Sequence, residues 1–240
     1  LGSILLALIV GGYYAWRASP VYRVDALLQI EDKKAGKGGV AMAALEGLFE
    51  QVTVAQAEIE IIKSNLVLGR AVESLRLDVQ AGPQYSRLLG DAMVRGRSDA
   101  PILLIERFVL PANLSGKYFS IVAEGPGQFR WQDPEGGILA KGKVGEDLTG
   151  IYLGQSMVLN VRQLTGRSGQ RYSLVRHPML RSIGEIRRQL RIAEKGKQTN
   201  ILGLSFEHRS PVQGAEILNE IIGQYVRQNI ERKAEEASKT

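Results

Sequence analysis

The sequence has no cysteine and only two histidines, and aromatic residues make up just 6% of its 240 positions. Without cysteine there is no disulfide, no thiolate metal site and no thiol nucleophile. The same absence leaves the redox compartment open. His177 precedes a proline and His208 ends a strand-like run, and neither has a partner at metal-ligand spacing. No H-E-x-x-H and no G-x-S-x-G occurs. Both histidines therefore read as ordinary surface or strand-end residues. With 44% hydrophobic and 23% charged residues, the chain has the profile of a folded protein of one or two domains. Its formal charge of +6 speaks to partners and solubility, not to fold.

Charge is missing altogether from Leu1 to Trp16, a run that closes on Tyr13, Tyr14 and Trp16. About 20 helical residues span the hydrocarbon of a bilayer, so sixteen fall short by roughly a turn. The first residue is not Met, and tyrosine and tryptophan favour a membrane–water interface. Residues 1–17 thus read as the end of a transmembrane helix, with Arg17 marking the exit and the rest of the chain on the far side. A signal-peptide core is the competing reading. It lacks a basic leading region and a small-x-small cleavage site.

Beyond Arg17 the pattern changes three times. Val21–Ile30 alternates as a strand with Val24, Ala26, Leu28 and Ile30 on one face. Glu31–Gly39 is a charged, Gly-rich loop whose lysines read as solvated, and Val40–Leu77 is helical in period. From 101 to 177 six strand-like runs alternate with turns, the spacing of a small β-sandwich or barrel. Then Met179, Ile183, Ile186 and Leu190 form a helical stripe, with a capping-box pattern at Ser182–Glu185. Asn200–His208 alternates as a strand. Ser210-Pro211-Val212-Gln213 starts a final helix whose buried stripe runs through Ala215, Leu218, Ile222, Tyr225 and Val226.

This order predicts an α/β (α+β) fold. A membrane-proximal mixed sheet with helices would occupy 18–100 and 178–240, ending in a long helix. An all-β module is inserted over 101–177. Past Gln228 the last helix is polar and needs another helix to cover it.

Two features invite a search for chemistry. Gly137–Lys143 approaches a P-loop, but Val144 stands where the Mg²⁺-binding Ser/Thr belongs, and turn-like Gly145, Asp147 and Gly150 follow instead of a helix. Between Arg176 and Lys197 seven Lys/Arg face only Glu185 and Glu194. No aromatic residue interleaves them, which argues against nucleic acid. Arg187, Arg188 and Arg191 would line a polymer path or a subunit contact, or belong to a solvated helix face.

The chain resembles a known family at several places. These are Tyr22-x-x-x-Ala26-Leu27-Leu28-Gln29-Ile30-Glu31, Glu58-Ile-Glu-Ile-Ile-Lys63-Ser64, Val67–Asp78, Gly214–Asn219 and Gln228-Asn-Ile-Glu-Arg232-Lys233. Together they are similar to the periplasmic part of the Wzz/Wzc-type polysaccharide co-polymerases, the chain-length determinants. The inserted module and the final helix most resemble the tyrosine-autokinase branch for capsule and exopolysaccharide. The resemblance implies an inner-membrane homo-oligomeric ring with a periplasmic domain, working beside a polysaccharide polymerase and an outer-membrane exporter. It implies contact with membrane lipid, and the basic stretch from Arg176 to Lys197 makes an acidic polysaccharide a candidate partner. No catalytic, cofactor or metal residue is expected in this segment; ATP and Mg would enter only with a cytoplasmic kinase domain that follows. A domain of another envelope exporter or adaptor is the alternative, and a membrane-anchored enzyme is disfavoured for want of an acid/base or metal constellation.

Overall fold

A computed structural model describes residues 11–12, 20–30, 55–84, 101–196 and 199–238. The expected membrane segment, the loop after Glu31 and the start of the first helical region lie outside them, apart from residues 11–12. Among the described residues no helix is long and apolar enough to cross a membrane. The fold is α+β, and its contacts divide it into two compact units, one ending at Arg76 and resuming at Met179, the other Leu77–Pro178.

In the first unit β1 (Tyr22–Gln29), β10 (Leu190–Glu194) and β11 (Ile201–His208) form a sheet in the order β1-β11-β10. The expected mixed sheet is antiparallel at both pairings, with the Lys195 amide donating to the Ile201 carbonyl where β10 and β11 run side by side. Leu28 faces Leu202, and Phe206 faces both Val24 and Leu190. Period-two alternation puts these side chains on one face, and Leu202, Leu204, Phe206 and Leu190 are buried there. That face meets α2 (Met179–Gln189) and α3 (Pro211–Ser238), while α1 (Asn65–Leu75) packs on both helices. Residues 55–62 form a further helical stretch.

Local chemistry sets these boundaries. Ser64 caps α1 by accepting from the Val67 amide at 3.3 Å, and Arg76 closes it in the left-handed region at φ 52°. Ser210 accepts from the Gln213 amide at 3.4 Å, the cap expected from sequence. A Cβ on Gly214 would lie 3.1 Å from Val24, so glycine lets α3 sit close on the sheet. The stripe of α3 is turned from the expected one: Gly214, Ile217, Leu218, Ile221 and Tyr225 are buried, and Val226 is 40% exposed.

Helix α2 begins three residues before the expected cap. Ser182 is buried inside it, so Ser182 and Glu185 form no capping box. The helix stops at Gln189 because Leu190, Ile192 and Glu194 alternate and pair with β11.

The second unit is a two-sheet sandwich. One sheet has the order β2 (Val79–Pro83), β9 (Arg171–Arg176), β4 (Tyr118–Gly125), β5 (Gln128–Gln132) and β6 (Ile138–Lys143). The other is β3 (Leu103–Val109), β8 (Gln155–Leu164) and β7 (Asp147–Tyr152). Phe119, Trp131, Tyr172 and Leu174 from the first meet Phe108, Leu159 and Val161 from the second in one core. Phe108 stands edge-on to Phe119, with ring centroids 5.9 Å apart.

Two strands here depart from expectation. Val79–Pro83 pairs with β9, so the division falls at Leu77 and not at 101. The turn-like Gly150 lies inside β7, where a Cβ would come within 2.8 Å of the Trp131 ring. Glycine marks a close approach here, not a turn.

Candidate functional site

Among the described residues no group of His, Asp and Glu is placed to hold a metal ion. His177 bonds Gln80 through Nε2 at 3.1 Å, and the ring of His208 bonds the Ser210 backbone. The P-loop-like stretch forms strand β6, where Lys141 pairs with Arg130 of β5, and strand β7 follows it, so no helix N-terminus stands there.

The three arginines predicted to share a face do not. Arg187 is exposed on α2 but engaged within the subunit, donating to the Lys63 carbonyl at 3.1 Å and to Asn65 Oδ1 at 2.6 Å. It thereby ties the end of the helical stretch 55–62 to the start of α1. Arg188 is exposed and has no ion-pair partner among the described residues. Arg191 lies beyond the helix, on β10. A sequence stripe carried through Leu190 could not separate them, because it assumed one helix.

Arg191 belongs to the open face of the three-stranded sheet, opposite the face that meets the helices. Register places Asp25, Ser205 and Arg191 in one row and Leu27, Gly203 and Ala193 in the next. The small residues of the middle strand leave a groove of about 780 Å³. Glu207 on its rim holds Arg23 at 3.2 Å and Arg191 at 3.6 Å. The stem of Lys195 lies across Gly203, and Leu27 is 70% exposed. Partly paired charges around an uncovered apolar residue can dock a partner surface.

A second cluster joins two of the sequence motifs. Glu58, on the helical stretch 55–62, accepts from Tyr225 at 2.8 Å and from Arg232 at 2.9 Å. Burial raises the Tyr225 phenol above its usual range, and the Glu58 hydrogen bond and charge push it the same way. The neighbouring residue of α3, Glu231, pairs with Arg70 on α1 at 3.1 Å. The carboxylate of Glu220 is held below its usual range by hydrogen bonds from Gln224 and Ser74. These contacts fasten α3 to the helices beside it as it leaves the sheet.

Two family models match. The one described as chain length determinant protein covers residues 1–75, and the one described as tyrosine-protein kinase Wzc, N-terminal domain, covers 67–177. EpsB of Ralstonia nicotianae is 33% identical over 255 residues, taking in 100% of this chain and 34% of its own length. Tyrosine-protein kinase wzc of Salmonella typhimurium is 30% identical over 242 residues, with 100% of this chain and 32% of the relative covered. AmsA of Erwinia amylovora is 32% identical over 244 residues, with 99% and 32% covered. The chain therefore spans about a third of the length of these curated relatives.

Proposed function

We propose that this chain, which belongs to the chain length determinant family in its Wzc-type tyrosine-kinase branch, is the periplasmic part of an inner-membrane polysaccharide co-polymerase. The matched segment corresponds to the non-catalytic N-terminal domain of those kinases. On this reading it sets the length and export of a capsular or exopolysaccharide by oligomeric scaffolding, beside a polymerase and an outer-membrane exporter. ATP and Mg²⁺ would enter only through a kinase domain of a longer protein.

The observation that carries the reading is the meeting of the two family matches on α1, the helix that packs against α3. The motifs at Glu58 and Arg232 hold that same α3, whose last turns extend into solvent. A helix this exposed is suited to contacts with neighbouring subunits. The open sheet face around Arg23, Arg191 and Glu207 supplies a second surface for the ring. Arg191 is the arginine of that face, Arg188 stands exposed on α2, and Arg187 acts within the subunit.

The test uses the full-length protein in its own host. Alkaline phosphatase fused after Thr240 should be active, and cysteines placed at Arg188 and Arg191 should cross-link neighbouring copies into a ladder. An inactive reporter together with monomer-only cross-linking would overturn the reading.

A further inference from the structure

The outer face of the five-stranded sheet, turned away from the sandwich core, carries an ordered set of polar side chains that the scaffold role does not use. Directly paired residues in an antiparallel sheet share a face. Arg171 pairs with Val122, Val122 with Arg130, and Arg130 with Lys141, so three cations stand in one row across β9, β5 and β6. Neighbouring strands are about 4.8 Å apart, which makes the row roughly 14 Å long. The next row toward Tyr118 is Ser173, Ser120 and Gln132. Tyr118 lies two residues before Ser120 on the same face and is 57% exposed.

The electrostatics of this face are unbalanced. Glu124 is shared between Arg130 at 3.4 Å and Lys141 at 3.7 Å, while Arg171 is exposed and makes no ion pair among the described residues. Three cations against one carboxylate leave the face positive. Its hydrogen-bonding capacity is also unspent. Arg130 Nε and Gln132 Oε1 are buried without a partner among the described residues. Gln132, only 7% exposed, uses its Nε2 on the Gly136 carbonyl at 3.1 Å. Orphaned polar atoms of this kind are costly in a folded protein.

We infer that this outer face binds a carboxylate-bearing glycan, its acid groups met by Arg171, Arg130 and Lys141 and its hydroxyls by Ser120, Ser173 and Gln132. Guanidinium forks match carboxylates in two-point contact. A flat row of hydroxyl and amide groups suits an extended polyhydroxy chain, and the tyrosine ring offers a face to a sugar. Bases would need several aromatic platforms, and this face presents one among the described residues, Tyr118. The inference rests on the co-polymerase reading for the nature of the polymer but uses no residue of the groove or of α3.

The experiment measures binding of tetragalacturonate, maltotetraose and a single-stranded oligonucleotide to the full-length protein in detergent. The protein is compared with the triple variant Arg171→Gln, Arg130→Gln, Lys141→Gln. A charge-matched control carries Arg107→Gln, Arg162→Gln and Arg167→Gln. Tetragalacturonate should bind at least tenfold tighter than maltotetraose, weakening as salt rises. The triple variant should lose at least tenfold, and the control should bind as the parent does. Thermal unfolding of each variant accompanies binding. If the triple variant unfolds, the single substitution of exposed Arg171 must still weaken binding at least threefold.

Parent-like binding by the folded triple variant, equal loss in the control, no preference for the acidic sugar, or tighter binding of the oligonucleotide would overturn the inference. The host's polymer length, measured with the gene deleted, keeps the two readings apart. A length change on deletion with no glycan binding sinks only this inference. An unchanged length with face-dependent glycan binding sinks only the co-polymerase reading.

Discussion

Glu58 and Arg232 are 174 residues apart in sequence and meet at 2.9 Å. The Glu58 side chain is 12% exposed and that of Arg232 is 40% exposed. Their bond, with Tyr225 on the other carboxylate oxygen, is where the first helical region grips the outgoing helix. A hydrogen bond to a charged group contributes about 1.5–3 kcal/mol, and partial exposure brings this one to the lower end. Arg232→Gln should raise amide hydrogen exchange in residues 225–235 by roughly tenfold, about 1.4 kcal/mol of local opening. In a Glu58→Gln background the same change should cost much less. Equal effects in both backgrounds would show that the two residues are not coupled.

Tyr225 supplies a pH dependence of known sign. Its phenol is raised above the ordinary value of 10.0, chiefly by burial, so the folded state favours the neutral form. The stabilisation is complete below pH 10, where the unfolded chain also keeps the proton, and fades as pH climbs above it. Circular dichroism between pH 8 and 11.5 should show helix lost earlier in the parent than in Tyr225→Phe. Identical alkaline midpoints would contradict this.

Much of the first unit is readable from periodicity alone. Val24, Ala26 and Leu28 face the helices, as do Leu202, Leu204 and Phe206, because one face of a half-covered sheet obeys period two. The Ser210–Pro211 start is legible for a local reason, since cap and first turn lie within four residues. Strand β10 is not legible. Leu190 continues the apolar stripe of α2, and only pairing with β11 shows that the helix has ended. The loss of β10 also misplaced Arg191 on a helix face. The two rows on the five-stranded sheet were invisible for the same reason, because Arg171, Arg130 and Lys141 become neighbours only through register.

Gly150 and Gly184 separate a forced glycine from a permissive one. Gly150→Ala would press a methyl carbon to within 2.8 Å of Trp131, so it should destabilise the sandwich by about 1–3 kcal/mol. Gly184 has nothing within 4 Å of a Cβ and sits inside α2, so Gly184→Ala should stabilise by roughly 0.5–1 kcal/mol. Urea unfolding followed by tryptophan fluorescence reads the first, and exchange of α2 amides reads the second. Opposite signs are required.

The three arginines should separate as the structure separates them. Arg187→Ala removes donors from the Lys63 carbonyl and from Asn65, and should destabilise by about 1 kcal/mol. Arg188→Ala should stay within about 0.5 kcal/mol of the parent, as surface changes do. Arg191→Glu sets a carboxylate beside Glu207, in the same row as Asp25, and should disturb cross-linking between copies more than stability. Thermal unfolding alongside the cross-linking ladder checks all three. Equal destabilisation by all three would return them to a single helix face.

The central claim is that this chain sets polymer length as a scaffold, through an α3 held by Glu58 and Arg232. Its most direct test is the length distribution of the host's surface polysaccharide on a gel. The strains are one lacking the gene, one complemented with the parent, and one complemented with Arg232→Glu at equal protein level. The account predicts an altered distribution on deletion, restoration by the parent, and a shifted distribution with Arg232→Glu. A distribution that is the same in all three strains would contradict it.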